Sequence, residues 1–201
     1  MENVLRNAQT KYYTDEECAL LSKATVGIAG LGGLGSNCAV MLARAGIEHF
    51  ILLDYDIVEP SNLNRQFYWP SDLGQAKTSA LANHLRSLNP ALSLTLINKR
   101  LSKVNCTAIL NSTSLWIEAF DDAQSKAMLL EETLLQNAYI VSASGICGCG
   151  QGCLKTREFH HGIIVGDFVS DCELYPPLAP RITCAAAMLA DCMLAHILKK
   201  V

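Results

Sequence analysis

The sequence predicts an α/β fold: doubly wound, Rossmann-like, with a mostly parallel sheet and a short antiparallel addition near the C-terminus. Three observations carry this. A strand, a glycine turn, a helix and a second strand follow one another between Ala24 and Asp54. Apolar strand-like runs then alternate with helix-favouring segments as far as Ala143, which is how a sheet with helical crossovers reads. Finally, 50% of the residues are hydrophobic and the mean hydropathy is positive, as suits parallel strands covered on both faces.

The bulk properties set bounds on function. A chain of 201 residues is expected to form a single domain over 1–201 with a substantial core. No apolar run approaches the roughly 20 residues needed to span a bilayer, and Met1-Glu2-Asn3-Val4-Leu5-Arg6 lacks the apolar core of a signal peptide. A cytoplasmic protein without membrane association is therefore expected, with residues 1–23 as an N-terminal leader. The net charge of −3 offers no basic surface for nucleic acid. The nine cysteines are odd in number and irregularly spaced, which points to reduced thiols rather than a disulfide framework. Cys147-Gly-Cys149-Gly-Gln-Gly-Cys153 is not a CxxC pair and no second pair follows. It reads as a glycine-rich turn bearing small thiols, and no zinc is expected.

Taken in order, Thr14-Asp15-Glu16-Glu17 reads as an N-cap followed by acids in the first helical turn. Val26, Ile28 and Ala29 make a short strand that runs into Gly30-Leu31-Gly32-Gly33-Leu34-Gly35. Ser36 to Ala45 is a small-residue helix ended by Gly46, and Phe50 to Leu53 is a second strand closing on Asp54. Glycines here permit a tight turn, the helix start offers unpaired N–H groups to a phosphate, and an acid closing the second strand can grip a ribose hydroxyl. Tyr55 to Phe67, with Pro60 and its Asn/Ser cluster, is a loop long enough to carry function. A helix is expected from Ser71 or Asp72 to Asn89, stopped by Pro90, with Lys77 in its first half.

Ser93 to Leu101 reads as a strand, Ser102 to Asn105 opens a helix with Ile109 and Leu110 inward, and Ser114 to Phe120 is the next strand. Asp121-Asp122 follows at its carboxyl end, then a helix from Ala123 to Asn137 and a strand at Tyr139 to Ala143 leading into Ser144-Gly145. Cys153 to Gly166 has the strand-like stretches of the antiparallel addition, and the prolines at 176, 177 and 180 make Asp167 to Pro180 an irregular loop. A final helix from Arg181 or Ile182 to Lys199 presents Ile182, Ala186, Leu189, Met193 and Ile197 on one stripe. Ligands in such sheets lie beyond the carboxyl ends of the strands, so Gly30–Gly35, Asp54, Asp121 and Ser144-Gly145 are expected around one crevice.

Two classes compete for that crevice, a nicotinamide-dependent oxidoreductase and an enzyme using ATP. A triphosphate carries about four charges and calls for arginine, lysine and a divalent cation. Arg65 and Lys77 follow Asp54, and Asp121 can hold magnesium, with Asp121 and Asp122 as rivals for the metal and the helix cap. No GxxxxGK[ST] is present, which excludes a P-loop.

Gly30-Leu-Gly-Gly-Leu-Gly35, Leu53-Asp54-Tyr-Asp56, Ser61-Asn-Leu-Asn-Arg65-Gln66 and Gly74-Gln-Ala-Lys77, in this order, resemble the adenylyltransferase domain of the ThiF/MoeB family, bacterial relatives of ubiquitin-activating enzymes. The resemblance covers nearly the whole chain. It implies ATP-dependent adenylylation of the C-terminal Gly-Gly carboxylate of a small ubiquitin-like sulfur carrier, with ATP and Mg²⁺ as cofactors, and a homodimer. The carrier is expected to be a ThiS-like protein of thiamine biosynthesis, with the molybdopterin-synthase carrier behind it and a non-catalytic tail-binding module as a further alternative. By match, Gly30, Gly32, Gly33 and Gly35 approach the nucleotide and Asp54 holds the ribose. Asn62, Arg65, Gln66 and Lys77 serve the phosphates, Asp121 takes magnesium, and Arg6 reaches the partner subunit's phosphates; Asp56 is a further cofactor-binding candidate, with support of the loop as its alternative role. The CxxC pairs and C-terminal extension of longer members are missing, which resembles the short, zinc-free branch. Cys172 is the first candidate reactive thiol, because it lies in a region comparable to the loop before the final helix that holds the sulfur-transfer thiol in some members; Cys184 is the second, its place near a helix start favouring a lowered pKa.

Overall fold

A computed structural model describes residues 4–200, apart from the side chains of residues 4, 6 and 7. The strands are β1 (Thr25–Ala29), β2 (His49–Leu53), β3 (Ser93–Ile97), β4 (Leu115–Glu118), β5 (Tyr139–Ala143), β6 (Lys155–Phe159) and β7 (Gly162–Gly166). The helices are α1 (Val4–Gln9), α2 (Asp15–Lys23), α3 (Gly33–Ala45), α4 (Lys77–Leu88), α5 (Cys106–Leu110), α6 (Ala123–Leu135) and α7 (Ala179–Ile197). They build one seven-stranded sheet in the order β3-β2-β1-β4-β5-β7-β6. Every pairing is parallel except the edge pair β6–β7, which is antiparallel. Strand order reverses between β1 and β4, and such a switch point opens a crevice at the carboxyl ends of the strands.

The alternation of side chains along each strand sorts the core into two layers. Val26, Ile28, Phe50, Leu52, Ile117 and Val141 pack with α2, α3, α4 and α7. Ile51, Leu53, Trp116 and Ile140 pack with α5 and α6. Burying such side chains stabilises by about 1.5–3 kcal/mol each. Trp116 dominates the second layer: it is fully buried and its indole N–H donates to the Thr113 carbonyl at 3.0 Å. Gly27 on the neighbouring strand makes room for it, since a Cβ there would sit 2.4 Å from the indole ring.

Thr14 caps α2 through a reciprocal pair, its Oγ1 accepting from Glu17 N while Glu17 accepts from Thr14 N. Four helix starts differ from expectation: α3 begins at Gly33 rather than Ser36 and α5 at Cys106 rather than Ser102, and α4 and α7 are shifted as well. Helix α4 begins at Lys77, not at Ser71 or Asp72, because residues 70–72 close a 3₁₀ turn and Gly74 reverses the chain at φ 81°. Ile57 then bridges Ala76, which holds residue 76 extended until the helix starts. Helix α7 begins at Ala179, ahead of Arg181, because Pro180 occupies the first turn, where a missing N–H costs nothing. No described helix is long and apolar enough to cross a membrane.

Candidate nucleotide site

A cleft of about 240 Å³ lies at the switch point, lined by Gly30, Gly32, Gly33, Asp54, Asp56, Arg65, Gln66, Lys77, Asp121 and Lys126, among others. Gly32 is the N-cap of α3 and Gly33 its first residue, so the helix presents free N–H groups here. Gly30 has φ 90°, and a Cβ on it would meet the Ala119 carbonyl at 2.6 Å. Gly35 does not line the cleft. It lets α3 close onto the turn, where a Cβ would lie 1.9 Å from the Gly30 carbonyl oxygen.

Asp54 is buried at the end of β2. Its Oδ2 accepts from Leu31 N at 2.7 Å and its Oδ1 from Asp56 N at 2.8 Å. The carboxylate thereby fixes the glycine turn to the start of the crossover loop, and each oxygen retains capacity for a further donor. Tyr68 adds a second tie, its hydroxyl donating to the Leu31 carbonyl at 2.9 Å. Burial, then the charges of Asp54, Asp72 and Asp56, push that hydroxyl far above the usual phenol range, so it remains a donor.

The crossover loop is held to α3 by two polar side chains that the sequence reading passed over. Ser36 Oγ accepts from Phe67 N at 2.9 Å, and Asn37 Nδ2 donates to the Arg65 carbonyl at 3.0 Å. The Arg65 side chain comes to rest beside Gly33, whose absent Cβ would lie 3.4 Å from Arg65 Cγ. Its guanidinium donates to the Ser61 carbonyl at 3.0 Å and to Asn64 Oδ1 at 2.8 Å, with no carboxylate partner among the described residues. Gln66 places a buried Oε1 with no hydrogen-bond partner in the same wall. Lys77 is buried, its side chain 7% exposed, and its Nζ donates to Asp56 Oδ2 at 2.7 Å. Asn62 is not in the cleft: its Oδ1 accepts from Glu59 N at 3.1 Å and holds the 3₁₀ turn that precedes Arg65.

On the opposite side, the two acids after β4 divide their roles. Asp122 caps α6, its Oδ1 accepting from Ser125 N at 2.7 Å. Burial works to raise its carboxyl, but hydrogen bonds from Ser125 and Gln124 and the charge of Arg100 outweigh it and hold the group below the ordinary carboxylate range. Asp121 is exposed on the cleft wall, with no hydrogen bond or ion pair among the described residues. Two residues beyond those singled out from the sequence belong here: Glu118, fully buried at the end of β4, and Lys126, which pairs with it. A charge closing the apolar run Leu115-Trp116-Ile117 was the available signal, since a buried carboxylate needs a partner.

The expected crevice wall at Ser144-Gly145 is supplied instead by their neighbours Ala143 and Ile146. Cys172 is exposed and lines the cleft beside Cys147. Burial, and then the neighbouring Cys172, push the Cys147 thiol up to about 11. Cys184 lies away from the cleft, exposed on the outer side of α7. Because α7 starts at Ala179, Cys184 falls in its second turn, beyond the first-turn N–H groups that were expected to favour it. The Arg6 side chain lies outside the described residues. Among the described residues no three His, Cys, Asp or Glu side chains converge as a metal site.

The ThiF family model matches residues 4–190. A Xenopus laevis adenylyltransferase and sulfurtransferase, MOCS3, is 35% identical over 143 residues, 71% of this chain and 31% of the relative. A Dictyostelium discoideum ubiquitin-like modifier-activating enzyme 5 is 51% identical over 63 residues, 31% of this chain and 16% of the relative. The chain thus spans about a third or less of the curated relatives it matches. Among solved structures, E. coli tRNA N6-threonylcarbamoyladenosine dehydratase, TcdA, in complex with AMP, superposes with TM-score 0.87 at 19% identity, covering 96% of this chain and 94% of that one. E. coli MccB with ATP gives TM-score 0.75 at 21% identity, covering 100% of this chain and 65% of that one. These two share the doubly wound architecture described above, and the match over residues 4–190 makes this chain a member of the ThiF family.

Proposed function

We propose that this chain is a nucleotidyltransferase that uses ATP to adenylylate the C-terminal Gly-Gly carboxylate of a ubiquitin-like sulfur carrier, a ThiS-type protein of thiamine biosynthesis. The observation that carries the reading is Arg65, a half-buried guanidinium lining the cleft, beside a helix N-terminus and without a neutralising carboxylate among the described residues. An unpaired guanidinium in that position suits the bidentate, charge-assisted hydrogen bonds of a phosphate. The buried, partnerless Oε1 of Gln66 in the same wall also fits a polar ligand that brings its own donor.

The residues then divide the work. Asp54, with one lone pair per oxygen still open, receives the ribose hydroxyls, and Gly30, Gly32 and Gly33 give the backbone close access to the phosphates. Arg65 and Lys77 offset the repulsion between an anionic carboxylate and an anionic triphosphate. Lys77 meets the phosphates as Asp56 yields it. The carboxylate oxygen forms the new bond to the α-phosphorus as the bond from that phosphorus to the α–β bridging oxygen breaks, and pyrophosphate leaves with the electron pair. No side chain acts as base, because the nucleophile is already ionised. A single exposed carboxylate, Asp121, fits a magnesium ion that takes most of its ligands from phosphate and water, and such an ion supplies charge neutralisation to the phosphates. A dimer in which Arg6 serves the partner subunit belongs to the same proposal.

The test is incubation with MgATP and purified ThiS-type and molybdopterin-type carriers, followed by pyrophosphate release and intact mass of the carrier. The proposal expects pyrophosphate and a carrier heavier by one AMP with the ThiS-type protein. AMP on the molybdopterin-type carrier alone would replace the carrier named, and consumption of neither carrier nor ATP would refute adenylylation.

A further inference from the structure

One cation of the cleft wall, Lys126, has no part in the phosphate contacts proposed above and is paired with a fully buried carboxylate behind the wall, Glu118. Glu118 is 0% exposed, and both its carboxylate oxygens are engaged: Oε1 accepts from Phe120 N at 2.8 Å, while Oε2 accepts from Ser142 Oγ at 2.5 Å and from Lys126 Nζ. Burying a carboxylate is costly unless it is paired and hydrogen-bonded, and here three donors satisfy it. Lys126 comes from the first turns of α6 and is 26% exposed. An ammonium has three N–H donors. One goes to Glu118 and one to the Ala143 carbonyl at 3.2 Å. Among the described residues no acceptor takes the third, and Lys126 lines the cleft.

Its position matters. Arg65 and Lys77 reach the cleft from the crossover between β2 and α4, on the side of Asp54. Lys126 reaches it from the β4–β5 side, across the switch point, where it is the only cation among the lining residues after Lys77. Displacement at phosphorus is roughly in line, so an attacking oxygen approaches from the side opposite the leaving phosphates. If those phosphates lie on Arg65 and Lys77, the nucleophile enters along the wall that carries Lys126.

We infer that Lys126 is the anchor for the acyl substrate: its free N–H holds the second oxygen of the incoming carboxylate while the first attacks, and Glu118 is a positioning residue that fixes the ammonium for this. The inference rests on the adenylyl-transfer reading and assigns a substrate contact within it. Pairing with Glu118 also keeps the local charge near neutral, so the carboxylate is oriented without being trapped as a tight ion pair.

The probe is a stable mimic of the acyl adenylate, adenosine 5′-sulfamate acylated with Gly-Gly, compared with AMP and ATP by calorimetric titration. Wild-type protein is expected to bind the mimic at least tenfold more tightly than AMP. Lys126→Met, close in volume, is expected to lose about tenfold for the mimic while its affinities for AMP and ATP stay within twofold. Glu118→Gln keeps the shape and is expected to lose part of the same selectivity. Unchanged nucleotide affinity in both variants also demonstrates that they fold. Retention of full selectivity by Lys126→Met overturns the inference, as does an equal loss for AMP and ATP, which would make Lys126 a phosphate contact. Failure of the wild type to bind ATP or AMP refutes the adenylyl-transfer reading itself, and the inference with it.

Discussion

Lys77 Nζ lies 2.7 Å from Asp56 Oδ2, with the lysine side chain 7% exposed and the aspartate 44% exposed. The cation is therefore held at the first residue of α4, where the helix dipole opposes positive charge, and the acid that holds it faces the cleft. Under the proposed function, this pair releases its cation to a ligand more negative than Asp56. Lys77→Met is expected to lower adenylylation by about 10²–10³-fold, the range for removing one donor to developing charge. Because the partner acid is half-exposed, stability should change by less than about 1 kcal/mol. Initial rates and urea unfolding of the same preparation check both halves.

Asp121 and Asp122 are neighbours with separable roles. Asp122→Ala should cost about 0.5–2 kcal/mol through loss of the α6 cap. The native Asp122 carboxyl is held below its usual range, so its contribution is present above the unfolded-state pKa of about 3.9 and is lost as pH falls through the lower native value. The stability gap between wild type and Asp122→Ala, measured by urea unfolding from pH 7 down to pH 3, should therefore close at the acid end. Asp121→Ala should leave stability unchanged and raise the magnesium concentration needed for half-maximal rate.

Most of the architecture was legible in the chain because its signals are local. The glycine turn between two apolar runs, the alternation of strands and helices, and Thr14 with Glu17 each need only neighbours to be read. The late start of α4 was not, since it depends on Gly74 and on the bridge from Ile57 to Ala76, a contact between residues distant in sequence. The pairing of Glu118 with Lys126 was hidden for the same reason: only the fold shows that a buried strand-end acid meets the helix lysine that lines the cleft.

Cysteine labelling separates the thiols by environment. Cys172 is exposed in the cleft, Cys147 is buried with its thiol raised to about 11, and Cys184 is exposed away from it. The thiolate is the reacting species, so at pH 7.5 iodoacetamide should modify Cys172 and Cys184 well before Cys147. MgATP should slow Cys172 alone, as read by peptide mass spectrometry over a time course.

Gly27 is required by its neighbour on β4. A Cβ there meets the Trp116 ring at 2.4 Å, and the ring is fully buried. Gly27→Ala should destabilise by about 1–3 kcal/mol, the usual cost of overpacking. The lower urea midpoint should come with an unchanged dependence on denaturant.

In the proposed reaction the phosphates of ATP rest on Arg65, which no acid among the described residues neutralises. Calorimetric titration of MgATP into wild-type protein and into Arg65→Ala measures that contact. A weakening of about 10–100-fold on substitution, with AMP binding far less affected, is the predicted result. Equal affinity of the two proteins for MgATP would contradict that contact.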